Sequence, residues 1–453
     1  MFTASNLASW CHGTWQGSVP ATVSSVSTDS RAIEPGCLYV ALRGEKFDGH
    51  AFAGAALEAG AAAILAEEGA DLPAGAPALR VPDTAAALRD LAAGYRAALA
   101  PTVVGLTGSV GKTTVKEITA RLLDRIGPTA KTPGNWNNAL GVPKSILALP
   151  EGTRYAVLET GTNHPGEIAP LAALLRPDAA ILTNIGEAHI GNFGSKDRTA
   201  NEKADLLRAV PESGFVVLDA TGGHYDYLRA QVRCRIVSVS PDPAVAADFT
   251  AAASDPVAGS LTVHEAATGL SYDIRSGLSG AHQIGNLLLG IACARTLGAT
   301  PEAVADALEG WSPDVKGRWE KTERNGLHFI NDAYNANPQS MIKAVETFAA
   351  TPCQGRRIAV LGDMGELGAE LEEALHRAVG LTVFQAEIPE LVCVGSKASW
   401  IGDQARLCGM SPKHIHRVPD ATAAKELLAT LARPTDLILL KASHSVGLEK
   451  IVG

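Results

Sequence analysis

The sequence predicts an α/β protein of three domains, with a central P-loop parallel-sheet domain and a C-terminal Rossmann-like domain. Three observations support this fold class. Short apolar runs alternate with segments of helical periodicity, as expected for parallel strands joined by helices. A Gly-rich stretch that ends in Lys-Thr-Thr stands between one such run and one such segment. The length of 453 residues is enough for about two to four domains.

Turn-forming residues divide the chain into three blocks. An Ala-rich helical stretch ends before Pro101, and Pro313 and Gly317 interrupt the chain again. We therefore expect domains at residues 1–99, 100–312 and 313–453. In the first, the strand-like runs CLYVAL and AAAIL flank the helical stretch HAFAGAALEAG.

Composition excludes several classes of protein. Hydrophobic residues make up 46% and charged residues 19%, which is typical of a globular chain and not of a disordered one. The net charge of −9 argues against a general nucleic-acid-binding protein, although it leaves room for a local basic pocket. The N-terminus lacks the pattern of a secretory signal, and no apolar run reaches the ~18 residues of a membrane span. Seven cysteines without a C-x-x-C pair predict reduced thiols. We expect a cytoplasmic monomer that binds neither nucleic acid nor a membrane.

The apolar runs of the second and third blocks predict buried parallel strands. They are PTVVGL, YAVLET and AAILTN, followed by RIAVLGD, LVCVGS and DLILLKAS. After the first of them, Val115, Ile118, Leu122 and Ile126 recur at helical spacing on one face. YAVLET and AAILTN end in polar residues, and each of the runs leads into residues able to do chemistry. Ligands of such sheets collect at the carboxyl ends of the strands, so these residues are candidates for a site.

The stretch GLTGSVGKTT has the context of a phosphate-binding loop. Its glycines let the backbone N–H groups point at phosphate oxygens, and the following helix N-terminus adds positive potential. Lys112 can reach the outer phosphates and the Thr113 hydroxyl can bind Mg²⁺. The spacing departs from the usual P-loop motif G-x-x-x-x-G-K-[ST]. Gly105 lies one residue too early, and Leu106 occupies the position where the motif has its first glycine. The alternative is an ordinary Gly-rich turn. The predicted nucleotide-binding residues of the loop are Thr107, Gly108, Ser109, Val110, Gly111, Lys112 and Thr113.

Three further residues lie at the end of a predicted strand, just past another one and early in a predicted helix. Glu159 ends the run YAVLET, and His189 follows AAILTN. The stretch NEKADLL places Lys203 early in a helix. A carboxylate, an imidazole and the Thr113 hydroxyl are suitable ligands for Mg²⁺. Taken singly, these residues are equally consistent with a helix-cap partner, a loop hydrogen bond and a solvated surface charge.

Several stretches together resemble the Mur ligase family, ATP-dependent enzymes that form the amide bonds of the peptidoglycan peptide. The resemblance covers nearly the whole chain. It lies in TDSRAIEPGCLYVALRGEKFDGH, TGSVGKTTVKE, TPGNWNNALGVP, ETGTNHPGEIA, NDAYNANPQSM and LGDMGELG. The last two are typical of the member that adds D-Ala-D-Ala. The resemblance implies that ATP phosphorylates the terminal carboxylate of a UDP-N-acetylmuramoyl-tripeptide. The amine of D-Ala-D-Ala then attacks the acyl phosphate, and ADP and phosphate leave.

The resemblance also implies roles for the nucleotide and metal site. Lys112, Lys203, His189 and Arg318 would be catalytic. Thr113 and Glu159 would bind a first Mg²⁺ and His189 a second, with Lys203 carbamylated and also a metal ligand. Carbamylation needs a neutral amine, which burial favours. Arg318 in KGRWE would meet the phosphates. In the same way, Asn286 of GAHQIGN would contact the adenine and Asp332 the ribose.

Substrate contacts are implied in all three domains. Ser30 and Arg31 would hold the UDP-sugar, although Asp29-Ser30-Arg31 also has the composition of a surface turn. The amides that would meet the muramoyl portion are those of Asn135, Asn137 and Asn138. The residues placed near the nucleotide and the incoming dipeptide are Tyr334, Asn335 and Asn337. The alternative for NDAYNANPQSM is a polar turn that caps a helix.

Two positions depart from the family pattern, and other functions stay open. Gln283 stands where the family often has asparagine, and His444 replaces the arginine of a common Lys-Gly-Ser-Arg stretch. His444 could orient substrate or merely pack on the surface. Rivals in the same class add another residue, or are folylpolyglutamate synthases or cyanophycin-type ligases. A nucleotide-binding module or regulatory NTPase would turn over ATP without an acceptor.

Overall fold

A computed structural model describes residues 1–44, 47–324 and 326–452 of the chain. It contains three β-sheets of five, nine and six strands with helices packed against them, which confirms the α/β class. In the stretch TDSRAIEPGCLYVALRGEKFDGH, Glu45 and Lys46 lie outside the described residues. No helix within the described ranges is long and apolar enough to cross a bilayer.

The N-terminal sheet has the strand order β1-β5-β4-β3-β2, with β1 antiparallel to β5 and the other pairs parallel. Its strands are β1 Thr14–Gln16, β2 Val26–Ser27, β3 Leu38–Val40, β4 Ala63–Glu67 and β5 Ala78–Val81. Its helices are α1 Ala4–Cys11, α2 Ala53–Glu58 and α3 Thr84–Leu99.

Helix α3 joins the N-terminal sheet to the central one. The carboxylate of Asp83 caps it by accepting from the N–H groups of Ala85 and Ala86. Its buried face packs in one apolar cluster with residues of the central sheet and its helices. The Tyr95 hydroxyl donates to the Leu149 carbonyl at 2.6 Å. The first two domains are therefore packed together along this helix.

The central sheet has the order β14-β13-β12-β11-β10-β9-β6-β8-β7. Its strands are β6 Thr102–Thr107, β7 Thr129–Lys131, β8 Tyr155–Glu159, β9 Ala179–Leu182, β10 Phe215–Asp219, β11 Arg235–Ser240, β12 Phe249–Asp255, β13 Ser260–Glu265 and β14 Leu270–Arg275. Its helices are α4 Lys112–Leu123, α5 Gly141–Leu147, α6 Ile168–Leu175, α7 Ile190–Phe193, α8 Lys196–Arg208, α9 Tyr225–Ala230, α10 Ala281–Thr296 and α11 Pro301–Leu308.

Strands β6 to β12 pair in parallel, whereas β13 and β14 add an antiparallel hairpin at one edge. On α4, Val115, Ile118 and Leu122 are buried as their spacing predicts. The helix ends at Leu123, so Ile126 packs against the core from the following turn. Parallel pairing brings the carboxyl ends of β6, β8 and β9 to one edge of the sheet.

The C-terminal sheet has the order β15-β16-β20-β17-β18-β19, and only the β15–β16 pair is antiparallel among the described residues. Its strands are β15 Glu320–Arg324, β16 Leu327–Asn331, β17 Arg357–Gly362, β18 Glu390–Val394, β19 Ile415–Val418 and β20 Leu437–Lys441. Its helices are α12 Pro338–Ala350, α13 Glu372–Gln385, α14 Ser399–Cys408 and α15 Ala421–Leu431.

Candidate active site

The Gly-rich loop connects β6 to α4, as the sequence predicts. Gly108 and Gly111 have φ angles of +151° and +81°, in the region that favours glycine. An added Cβ at Gly108 would overlap the Thr183 hydroxyl, and one at Gly111 would lie 2.7 Å from Asn286 Oδ1. The loop therefore needs glycine at both positions. Its backbone is a cradle of the kind that admits a phosphate.

Helix α4 begins at Lys112, so Lys112 and Thr113 lie at its positive N-terminus. Lys112 Nζ donates to the Gly108 carbonyl at 2.8 Å and thus lies over the loop. Burial lowers the pKa of Lys112, Glu159 partly offsets this effect, and Arg318 adds to it. Two cations and one carboxylate therefore face each other, and a polyanion would satisfy both cations.

Glu159 stands at the end of β8, next to the loop. The Thr113 hydroxyl donates to its Oε2 at 3.4 Å, and Asn137 Nδ2 donates to its Oε1 at 2.7 Å. Lys116 Nζ lies 3.9 Å from Oε2. A buried carboxylate and a hydroxyl so arranged are hard oxygen donors, which Mg²⁺ prefers.

Lys203 is buried on α8 and belongs to the same charged cluster. Burial and the charge of Lys112 lower the pKa of Lys203 to about 7, against the opposing effect of Glu202. Glu202 itself accepts from the N–H groups of Gly166 and Ile168 at 2.7 and 2.8 Å. The prediction that Lys203 lies early in its helix is wrong. The helix starts at Lys196 after a Ser195 cap, so Lys203 sits near its middle.

His189 lies in the loop after β9 and has a φ of 57°, which is uncommon for a residue with a side chain. Its Nδ1 contacts the Glu366 carboxylate of the C-terminal domain. Burial lowers the pKa of His189; Glu366 opposes this shift, whereas Lys112 and Lys203 add to it. The imidazole is therefore within electrostatic reach of both lysines.

The C-terminal domain contributes an arginine and an aspartate. The Arg318 guanidinium lies 4.2 Å from the ring centre of Tyr334. Its Nε is buried and has no hydrogen-bond acceptor within the described part of the chain. Asp332 Oδ2 accepts from Lys441 Nζ at 2.6 Å, and Oδ1 accepts from the Trp319 N–H at 3.2 Å. Arg318 is thus suited to receive an anion, while Asp332 is held in a fixed orientation.

Asn286 and Gln283 lie on the first turns of α10. Asn286 Nδ2 donates to Gln283 Oε1 at 2.8 Å, and the Asn286 amide lies against Gly111 of the loop. Asn286 is thus adjacent to the phosphate loop, and its contact with adenine stays a prediction. His444 is exposed, with its ring centre 6.3 Å from that of Tyr334.

Several predicted substrate residues have local structural roles. Asn138 Oδ1 accepts from the Gly141 N–H at the start of α5, and Asn335 Oδ1 accepts from the Ala336 N–H. The backbone carbonyl of Asn135 accepts from the Asn137 N–H. The Arg31 side chain is 88% exposed and pairs with Asp29 at 2.8 Å. These contacts agree with the turn and capping alternatives and leave substrate contact untested.

Substitutions at Asn337 can test whether this residue only caps a helix or also contacts the substrate. Asn337 and Ser340 form a reciprocal capping box at the start of α12. Replacing Asn337 with alanine is expected to lower the free energy of unfolding by about 1 kcal/mol, measured by urea unfolding. Asn337→Ser keeps a cap. If the serine variant recovers both stability and ligase activity, Asn337 only caps the helix; recovery of stability alone would assign it to substrate.

The sequence reasoning missed three buried groups around the site. Lys116 Nζ donates to the carbonyls of Thr132 and Gly134, and so fixes the start of the TPGNWNN loop. Lys441 holds Asp332, and His376 anchors the LGDMGELG segment. The sequence feature that could have revealed them is a polar residue at a position where the helix or strand pattern would place an apolar one.

Three family models match the chain. The Mur ligase middle domain matches residues 106–294, the Mur ligase glutamate ligase domain matches 317–444, and the Mur ligase family catalytic domain matches 22–96. Among curated relatives, the UDP-N-acetylmuramoyl-tripeptide–D-alanyl-D-alanine ligase of Escherichia coli K12 is 38% identical, over 99% of this chain and 97% of the relative. The enzyme of the same name from Bacillus subtilis 168 is 34% identical over the same shares.

Solved structures give the same result. MurF from Acinetobacter baumannii superimposes with a TM-score of 0.88 at 30% identity, covering 100% of this chain and 98% of that one. MurF from Thermotoga maritima in complex with ADP gives a TM-score of 0.78 at 29% identity, covering 95% and 96%. The sequence, the fold and the site agree: the chain belongs to the Mur ligase family.

Proposed function

We propose that this chain is an ATP-dependent ligase that adds D-alanyl-D-alanine to UDP-N-acetylmuramoyl-tripeptide and so forms the pentapeptide precursor of peptidoglycan. Full-length relatives bearing the corresponding name support this activity. One structural observation carries it: Lys112, at one edge of the central sheet, is within electrostatic reach of Lys203, of Glu159 and of Arg318 from the C-terminal domain. The Thr113 hydroxyl donates to Glu159 at the same place. A bare nucleotide-binding module would not need a cation from the C-terminal domain there.

ATP would lie between the central and C-terminal domains. The backbone N–H groups of the cradle and Lys112 bind its phosphates, and Arg318 approaches them from the other side. Phosphoryl transfer depends mainly on such positioning and charge neutralisation. Asn286, beside the cradle, would contact the adenine. Asp332, held by Lys441, would accept a hydrogen bond from the ribose.

The residues present fit Mg²⁺, because Thr113 and Glu159 supply two adjacent oxygen donors. Within residues 1–44, 47–324 and 326–452, no three His, Cys, Asp or Glu side chains are grouped closely enough to hold a metal ion. We propose that His189 and a carbamylated Lys203 complete the ligand set for two ions. When bound, Mg²⁺ neutralises charge on the transferred phosphate.

The remaining steps concern the substrate. Lys112 and Arg318 draw the tripeptide carboxylate towards the γ-phosphate, which it accepts to become an acyl phosphate as ADP leaves. The amine of D-Ala-D-Ala attacks this carbonyl, and the resulting tetrahedral intermediate expels phosphate. A site between two packed domains excludes the water that would hydrolyse the acyl phosphate.

We place the UDP-sugar at Ser30 and Arg31, and the muramoyl portion at Asn135, Asn137 and Asn138. Tyr334 and Asn335 lie near the dipeptide.

The test is ADP release in the presence of UDP-N-acetylmuramoyl-tripeptide, with and without D-Ala-D-Ala. Release is expected to depend strongly on the dipeptide, and mass spectrometry of the product should show the pentapeptide. Release that is indifferent to D-Ala-D-Ala would contradict the proposal and favour an NTPase or a ligase with another acceptor. Glycine, glutamate and D-alanine, supplied in turn as amines, are the controls for that second outcome.

We further propose domain boundaries near residues 99 and 312, a monomeric state and a cytoplasmic location. All seven cysteines are free thiols, which is typical of proteins in a reducing compartment.

A further inference from the structure

The LGDMGELG segment lies at the carboxyl end of β17, and the proposed function gives it no role. We call residues 362–368 the arm. Neighbouring elements of its own domain fix its backbone. The Asp363 N–H donates to the Val394 carbonyl at 3.2 Å, and the Ser443 N–H donates to the Asp363 carbonyl at 3.0 Å. The Gly365 N–H donates to Ser443 Oγ at 2.8 Å.

A fully buried histidine fixes the middle of the arm. His376 Nε2 accepts from the Met364 N–H at 3.0 Å, and its Nδ1–H donates to the Glu372 carbonyl at 2.7 Å. Both ring nitrogens are thus satisfied in the neutral tautomer. With Met364 and Leu367 also buried, the arm is a rigid support and not a loose loop.

The arm docks on the central-domain loop that carries His189. The Gly191 N–H donates to the Glu366 carbonyl at 3.2 Å, and an added Cβ at Gly191 would overlap the Gly368 amide. Ile190 is buried in the C-terminal apolar core together with Met364 and Leu367. The position of His189 is therefore set by the C-terminal domain as much as by its own.

The two side chains that meet across this contact both stand on left-handed backbone. His189 has a φ of 57° and Glu366 a φ of 60°, conformations that cost free energy for residues with a Cβ. The Glu366 carboxylate forms an ion-pair contact with His189 Nδ1, which is buried and makes no regular hydrogen bond within the described residues. A carboxylate next to Nδ1 favours the proton on that nitrogen and leaves Nε2 as the acceptor.

We propose that Glu366 is a positioning residue for His189: it holds the imidazole as the Nδ1–H tautomer and orients Nε2 for its ligand. Metal-binding histidines commonly donate their other ring N–H to such a carboxylate. Because Glu366 belongs to the C-terminal domain, His189 is oriented only when that domain is docked. The inference rests on the proposed function, since it assumes that His189 takes part in it.

A double-mutant cycle tests whether Glu366 acts through His189. Glu366→Ala is expected to lower kcat by about 10- to 100-fold with a small change in KM. Glu366→Gln keeps an acceptor and should recover part of this loss. In a His189→Ala background, Glu366→Ala should cause no further loss. Equal losses in both backgrounds would overturn the proposal. Glu370→Ala, an exposed glutamate just beyond the arm, is the matched control.

A second readout does not depend on turnover. In protein labelled with ¹⁵N-histidine, the ring resonances of His189, assigned from the His189→Ala variant, report its tautomer. The Nδ1–H form is expected in the parent chain and in Glu366→Gln, and a mixture in Glu366→Ala. An unchanged tautomer in Glu366→Ala overturns the positioning role. Failure of the proposed function would show instead as ADP release that ignores D-Ala-D-Ala, whatever the tautomer.

Discussion

Replacing Lys112 with alanine or with methionine is expected to abolish ligation while leaving the fold intact. Lys112 Nζ lies over the phosphate cradle and bonds to the Gly108 carbonyl, so its loss removes charge compensation and little packing. Removing a single donor that stabilises developing charge costs about 10²- to 10³-fold in rate, and the full positive charge lost here should cost at least that. Methionine keeps the length of the stem and isolates the charge.

The measurement is ADP release and pentapeptide formation under saturating substrates, with thermal unfolding as the check on folding. Lys425→Ala is a suitable control because Lys425 is exposed on α15, in the C-terminal domain, and is not part of the site. It should retain the parent activity. Near-normal turnover by either Lys112 variant would remove Lys112 from the proposed machinery.

Lys203→Ala should be inactive and partly rescued by short-chain carboxylic acids. The proposed role of Lys203 is to carry a carbamate, which converts a cation into an anion beside the metal ions. In the variant, acetate or propionate could occupy the space and supply the missing carboxylate. The same acids should not rescue Lys112→Ala, which lacks a cation. Absence of rescue at any concentration that the parent enzyme tolerates would count against the carbamate.

The pH dependence follows from the same group. Because burial and Lys112 lower the pKa of Lys203 to about 7, the neutral amine that reacts with CO₂ predominates above neutrality. It is lost as the pH falls below 7. Activity should therefore decline from pH 8 to about pH 6, and added bicarbonate should oppose the decline. A profile that does not respond to bicarbonate would contradict this account.

Much of the fold could be predicted because buried parallel strands leave a strong signal. The runs that became β6, β8 and β9 are mainly apolar and are bounded by polar residues or glycine. The edge hairpin β13–β14 was missed, although Leu261 and Val263 alternate with less buried residues as in a half-buried strand. The start of α8 was also missed. After its Ser195 cap the first turns are polar, and they carry little amphipathic signal.

The site was predictable where function depends on a local motif, and not where it depends on packing. Lys112 and Thr113 follow from the loop and helix that contain them. Glu366 contacts a segment distant in the chain, and His376 and Lys116 hold nearby loops, in contacts that only the folded structure shows. Asn337 and Asn138 show that a local motif can also be ambiguous. The same amide that can bind a sugar also caps a helix, and the sequence cannot separate the two.

The burial of Ile190 in the core of the C-terminal domain limits how independently the central and C-terminal domains can fold. A segment of one domain completes the interior of the next, so the two are not independent building blocks. A C-terminal fragment that begins near residue 313 would have a hole where Ile190 packs, and losing a buried aliphatic side chain costs about 2–5 kcal/mol. A chimera that exchanges the last domain between relatives should therefore carry residues 186–194 with it.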